Sequence, residues 1–320
     1  MTAATSGGRV LIHNPHERDA STGHLRFLNI NQDVSALASG CFDAEEGRDA
    51  LFIGMQTTLR GYDVEENSDL FFKDVPDGVT AMTFGTLHPM TAPLVFVGGS
   101  CSVLGFDAEG EEQYWTVAGD NVSSLMLWDV TADSKNELVV ASEDFDVRVL
   151  TNDEVIGEIT ETDVVTHIAP VKPKQFAYTA ANGSVGVYNS TDRMWRLKAK
   201  SRPTAVAAFD LDADGEPEII SGWSSGKFEA RRAGNGELVY KDTLKGPVAA
   251  LLKADYRMDG REELICCSTE GEVWLAGSAV LRLMLTGGGP PLPFATPILC
   301  AAAACRCAGT FLLRWNQGNS

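Results

Sequence analysis

Residues 204–242 read TAVAAFDLDADGEPEIISGWSSGKFEARRAGNGELVYKD. Four short runs, TAVAAF, EIISG, KFEARR and ELVYKD, are separated by segments dense in Gly, Asp, Asn and Ser. Runs of this length, with turn residues such as Gly234-Asn235-Gly236 between them, describe a four-stranded antiparallel meander. A lone meander cannot bury both of its faces, so it must stack on others.

The rest of the chain supplies the others. Six segments open on a short apolar run at Val34, Val79, Val122, Val164, Thr204 and Pro247, spaced by 45, 43, 42, 40 and 43 residues. Each continues with a second run (ALFIG, PLVFVGG, ELVVAS, QFAYTA, EIISG, ELICCS) and a third (TLRGYDV, SVLGFDA, DVRVL, SVGVYN, KFEARR, EVWLAG). Most add a fourth, as in GEEQYWTV, EVIGEI and MWRLKA. A period of about forty residues with no helical pattern between strands predicts an all-β chain folded as a β-propeller. Residues 1–33 offer only GRVLIHNP and HLRFLNI, and the last unit stops after three runs near Ala276. The expectation is a seven-bladed β-propeller over residues 1–276, with incomplete first and last blades and residues 1–33 as a partial first blade.

Composition bounds the partners. The 320 residues carry a formal net charge of −18, with 44% apolar and 22% charged side chains. That field opposes nucleic acid and anionic membranes and favours cations and basic partners. The seven cysteines form no regular framework and no apolar signal segment lies near Met1, which reads as a reducing, cytoplasmic setting. None of the 44 acidic residues falls in 277–320, a Gly/Pro/Ala/Cys mixture expected to be a disordered low-complexity tail outside the propeller. Its apolar run from Ile298 to Leu313 is short for a membrane span and carries Arg306. Cys300, Cys305 and Cys307 are a weaker reading still, as a zinc site.

Within the opening stretch, FDLDADGEPEII at 209–220 has the spacing of a calcium loop. A twelve-residue EF-hand starting at Asp210 would need a bidentate Glu where Ser221 stands, and the flanks are strand-like. The alternative is a nine-residue inter-strand loop of the integrin-propeller kind. There Asp210, Asp212, Asp214 and Glu218 supply carboxylate oxygens to Ca2+, and Gly215 provides the positive φ. The sister loops are poorer. DVTADSKNE offers Asp129, Thr131, Asp133 and Glu137 but has Ser134 for glycine, and DYRMDGREE (Asp255, Asp259, Glu263) places Arg257 at the second ligand. FDAEEGRD (Asp43, Glu45, Asp49) is one residue short. No cofactor is required on this reading, with calcium in one inter-strand loop as the candidate ion.

Gly222-Trp223-Ser224-Ser225-Gly226 matches the nucleophile-elbow pattern, but it joins two strands rather than a strand and a helix, so a hairpin turn is expected. His13 and His16 lack the order and helix of a zinc motif. Trp115, Trp128, Trp195, Trp223 and Trp274 recur at strand positions, as packing between blades would require. No nucleophile–base pair emerges, and no catalytic residue is expected.

Longer segments carry a resemblance. INQDVSALASG, GMQTTLRGYDV, YWTVAGDNVSSL, ASEDFDVRVL, NGSVGVYNSTDRMWRLKAKS and ADYRMDGREELICCSTEGEV resemble the N-terminal propeller of the Bardet–Biedl syndrome protein 2 family, from about Gly8 to Ala276. The resemblance implies a non-enzymatic scaffold subunit of the BBSome, a coat-like adaptor moving membrane proteins to and from cilia. It implies Bardet–Biedl syndrome proteins 7 and 9 as the nearest partners, with an indirect link to a small Arf-like GTPase, intraflagellar transport and ciliary membrane cargo. The setting it implies is the cytoplasm and, within the complex, the cilium, its membrane and the basal body. The chain departs from that pattern at its start, which lacks the family's opening strands, and beyond Gly277, where the family continues into helical and further β-domains. The alternative function is a free-standing calcium-dependent binding propeller of integrin type.

Overall fold

The computed structural model describes residues 2–5, 7–13, 25–43, 49–152, 154–255, 260–270, 272–276 and 298–301. Every regular element among them is a strand. The N-terminal strands are β1 (Thr2–Thr5), β2 (Arg9–His13) and β3 (Leu25–Asn29). The first full meander is β4 (Val34–Gly40), β5 (Ala50–Met55), β6 (Thr58–Asp63) and β7 (Ser68–Asp74). Next come β8 (Ala81–Gly85), β9 (Leu94–Gly98), β10 (Ser102–Phe106) and β11 (Glu112–Val117), then β12 (Val122–Trp128), β13 (Glu137–Ser142), β14 (Asp146–Thr151) and β15 (Glu154–Thr160). Two further meanders are β16 (Val165–Lys172), β17 (Gln175–Ala180), β18 (Ser184–Asn189), β19 (Asp192–Lys198), and β20 (Pro203–Phe209), β21 (Glu218–Trp223), β22 (Lys227–Arg232), β23 (Leu238–Thr243). The series closes with β24 (Val248–Ala254), β25 (Glu263–Ser268) and β26 (Val273–Ala276), followed by the isolated β27 (Ile298–Ala301).

Each meander pairs its strands in chain order, and the first strand of each lies beside the first strand of the next: β4, β8, β12, β16, β20, β24. Six blades of a β-propeller result, five four-stranded and the last three-stranded among the described residues. A further sheet orders β27-β1-β2-β3, with β27 beside both β24 and β4. Strand β1 has no counterpart in the sequence reading, because TAAT carries no apolar pattern. The reading of 277–320 as a tail lies outside the described residues, β27 excepted.

Burial follows position within the blade. The second strands β5, β13, β21 and β25 are buried at every residue, since neighbouring blades cover both of their faces. The outer strands β7, β15, β19 and β23 are largely exposed. The cores therefore lie between blades: Phe52 and Phe71 of one pack with Val95 and Val97 of the next. Glycines set the approach, for a Cβ at Gly98 would fall 2.5 Å from Val122 Cγ1 of the next blade, and one at Gly222 2.5 Å from Val248 Cγ1.

The tryptophans divide. Trp223 and Trp274 are buried; Trp128 and Trp195 are half-buried and donate their indole N–H groups to backbone carbonyls. Trp115 is 57% exposed, so inter-blade packing fails for it. It sits on the outermost strand β11, on the face turned from the neighbouring blade, whereas the adjacent Tyr114 is buried and donates its hydroxyl to the Asn152 carbonyl of that blade.

Candidate functional site

The acidic loop joins β20 to β21 on one face of the ring. Its first acid shapes the loop: Asp210 Oδ1 accepts the Asp214 N–H at 3.1 Å and Oδ2 the Gly215 N–H at 2.9 Å. Gly215 turns the chain at φ 89°. Glu218, 1% exposed, accepts the Leu211 N–H at 2.9 Å. Asp210, Asp212 and Glu218 each bring one carboxylate oxygen within 4.8 Å of the others. Asp214 stands outside that trio, with Oδ1 accepting the Glu216 N–H and Oδ2 3.4 Å from Arg232.

Burial pushes the Glu218 carboxyl above its ordinary range; the Leu211 N–H offsets part of this, and Asp212, Asp214 and Asp210 add to it. Like charges held this close favour either a proton or a cation. Arg232, unnoticed in the sequence, brings a cation of its own, 3.9 Å from Asp212. It lies eighteen positions beyond Asp214 on a different strand, so no local pattern marks it.

The β12–β13 loop repeats the design. Asp129 accepts the N–H groups of Asp133 and Ser134, and buried Glu137 accepts that of Val130 at 2.7 Å. Asp129, Asp133 and Glu137 form a second trio within 4.8 Å. In the β24–β25 loop Asp255 accepts the Gly260 N–H at 2.7 Å, while Arg257 and Asp259 lie outside the described residues, as Glu45 does in the β4–β5 loop. A first acid that caps the loop and a buried second acid that pins its start are thus recurring architecture, with or without an ion.

At the ring axis is a cavity of about 540 Å³ lined by the inner strands. His167, Arg202 and Ser224 face it. His167 keeps some surface open to the cavity, yet enclosure and the Arg202 charge lower its pKa to about 4, so it is neutral at physiological pH. Its Nδ1 lies 3.5 Å from Thr179 Oγ1. Ser224 sits in the turn between β21 and β22, where Gly226 has φ 82°, so the G-x-S-x-G stretch is the expected hairpin. His13 ends β2, and His16 lies outside the described residues. Buried Glu161 is a structural acid, bonded by the Tyr188 hydroxyl and paired with Arg193 at 3.3 Å and Arg196 at 3.5 Å.

Hydroxyls link the blades around this axis. Thr80 Oγ1 lies 2.9 Å from the Gly98 carbonyl of its own blade and 2.6 Å from the Val122 carbonyl of the next. Ser123 Oγ repeats this with Ala141 at 3.0 Å and Val165 at 2.6 Å. Ser35, Ser123, Thr166 and Thr204 each fall at a register shift near the start of an inner strand. Of these hydroxyls, only Thr80 and Ser123 reach a partner some forty residues away; Thr166 bonds to Thr179 of its own blade, and the Ser35 and Thr204 hydroxyls have no hydrogen-bond partner among the described residues.

The family model "Ciliary BBSome complex subunit 2, N-terminal" matches residues 1–85, and "Ciliary BBSome complex subunit 2, middle region" matches residues 124–231. BBSome complex member BBS2 of Homo sapiens is 46% identical over 295 residues, 88% of this chain and 41% of that protein. The chain belongs to the BBSome subunit 2 family. It therefore spans about two fifths of the length of that BBS2 relative, the N-terminal region. Among solved structures, BBS1N in complex with ARL6DN superposes with TM-score 0.68 at 16% identity, covering 87% of this chain and 85% of that one. The WD40 β-propeller domain of Doa1 superposes with TM-score 0.60 at 16% identity, covering 90% and 89%. Both likenesses are of fold. No helix among the described residues is long and apolar enough to cross a membrane.

Proposed function

We propose that this chain is the non-enzymatic propeller of a BBSome scaffold, a protein-interaction domain of a coat-like complex carrying membrane proteins to and from cilia. The observation that carries the reading is the 46% identity to BBS2 over 88% of the chain. The fold supports it: six blades present loops and exposed outer strands, while the buried acids serve the architecture. Bardet–Biedl syndrome proteins 7 and 9 are the partners of this proposal. A small Arf-like GTPase is linked indirectly, and the working place is the cytoplasm, the ciliary membrane and the basal body.

The blade count belongs to the same proposal. The sheet of β1–β3 and β27 lies between the last and first inner strands, which supports a seven-bladed ring. Residues 1–276 then form the propeller, and the segment from 277 onward lends it β27.

The oxygen trio of Asp210, Asp212 and Glu218 supports calcium as a staple of one loop. One experiment separates the scaffold reading from a calcium-dependent binding propeller. The chain and Asp212→Ala are used to capture Bardet–Biedl syndrome proteins 7 and 9, with calcium and with chelator. The scaffold reading predicts equal recovery in all arms, with calcium raising only the melting temperature of the unsubstituted chain. Recovery lost with chelator and in the variant would favour the calcium-dependent reading.

A further inference from the structure

A chain of net charge −18 has acids to spare for its cations. Arg148 alone is held by Asp144, Asp146 and Glu158. Yet one region keeps cations that have no ion pair among the described residues. Lys198, the last residue of β19, and Lys200 and Arg202 in the return to β20 stand at alternate positions, and Lys245 lies in the return from β23 to β24. All four are exposed, while the intervening Ala199 and Ser201 are half-buried.

The two returns are contiguous. The Arg202 carbonyl accepts the Ser224 N–H at 2.9 Å, and the same turn accepts the Leu244 N–H on Gly226 at 2.9 Å. Arg202 also lines the axial cavity beside Thr204, whose buried hydroxyl has no hydrogen-bond partner. Acids near the returns are in part already engaged. Glu143 is bonded by Asn121, Glu272 accepts the Lys245 N–H, and Glu270 and Asp163 flank the returns.

Exposed cations alternate with half-buried residues through a return that bends at Lys200 and Ser201, so the three charges share its exposed side. An extended acidic peptide, with carboxylates on alternate residues about 6.7 Å apart, offers such a row its counter-charges. Strand β19 is the outermost of its blade, so its edge is open to pairing with an extended chain among the described residues. Net charge alone selects basic partners, and this rim selects the opposite.

We propose that the rim formed by Lys198, Lys200 and Arg202 binds an extended acidic peptide segment of a partner protein, with one carboxylate entering the cavity mouth at Arg202. A long polyanion or an anionic membrane is disfavoured, because each would bring the rest of this acidic surface against like charge. The inference rests on the chain's being an interaction domain and is independent of which complex it joins.

The test is fluorescence anisotropy on the full chain with a labelled peptide of alternating Glu and Ser, and with its Lys–Ser counterpart. Vesicles of phosphatidylserine and phosphatidylcholine form a third arm. The acidic peptide should bind saturably, more weakly at physiological than at low ionic strength. Lys198→Glu/Lys200→Glu/Arg202→Glu should weaken it by at least about tenfold with an unchanged melting temperature. Lys174→Glu, an exposed cation with no ion pair on the opposite side of its blade, should leave binding as it was. Absence of saturable binding overturns the proposal, as does binding indifferent to the triple reversal. Vesicle capture through these three residues without peptide binding also overturns it. Because no BBSome subunit is involved, failure here leaves the scaffold reading standing.

Discussion

At the scale of single residues, the ring is held by groups whose partners lie one blade away. Ser123 reaches the Val165 carbonyl across an interval equal to the repeat itself. Ser123→Ala should cost about 1 kcal/mol, seen as a lower denaturant midpoint at unchanged m-value; no change would show that the hydroxyl is idle. His167 predicts a pH effect. Its pKa is 6.5 unperturbed and about 4 in the fold, so between those values the unfolded chain binds the extra proton. Its share of stability is intact above pH 6.5 and falls as pH drops toward 4, by at most about 1.4 kcal/mol per pH unit. His167→Gln should flatten that slope in urea titrations across the window; an unaltered slope would assign the loss to other groups. The sequence displayed these side chains plainly, but their roles come from neighbours forty residues distant, which no local pattern encodes.

At the scale of elements, strands were legible because neighbouring blades cover both faces of the inner ones, leaving short apolar runs between turn residues. Val206 in β20 is 4% exposed, so Val206→Asp should cost several kcal/mol. Melting like the unsubstituted chain would contradict an inner-strand assignment. Gly98→Val should be destabilising by about 1–3 kcal/mol, because the added side chain meets Val122 of the next blade; a neutral result would mean that the blades do not approach so closely. What escaped the sequence were elements made by tertiary pairing. Strand β1 is a strand because β2 and β27 pair with it, Thr2 with Ile12 and with Ala301. In the acidic loop, Asp210, Asp212 and Glu218 come together where four residues were expected, and Asp214 turns to Arg232. The spacing of the acids revealed the loop, but not the guanidinium arriving from another strand.

At the scale of the whole molecule, the repeat period carried the propeller reading, and the family rests on matches spread along the chain. Net charge was the least informative signal, since a sum of −18 hides a basic rim. If β27 closes the ring, a chain ending at residue 276 should melt several degrees lower than the full chain, and equal melting would place β27 outside the cooperative unit. The claim on which the rest depends is that this propeller acts by joining a multisubunit scaffold. The most direct measurement is co-expression of the full chain with Bardet–Biedl syndrome proteins 7 and 9, followed by affinity purification on this chain and light scattering of the eluate. A single species containing all three in fixed stoichiometry is the predicted result. A soluble, folded, monomeric chain recovered without either partner would contradict the account.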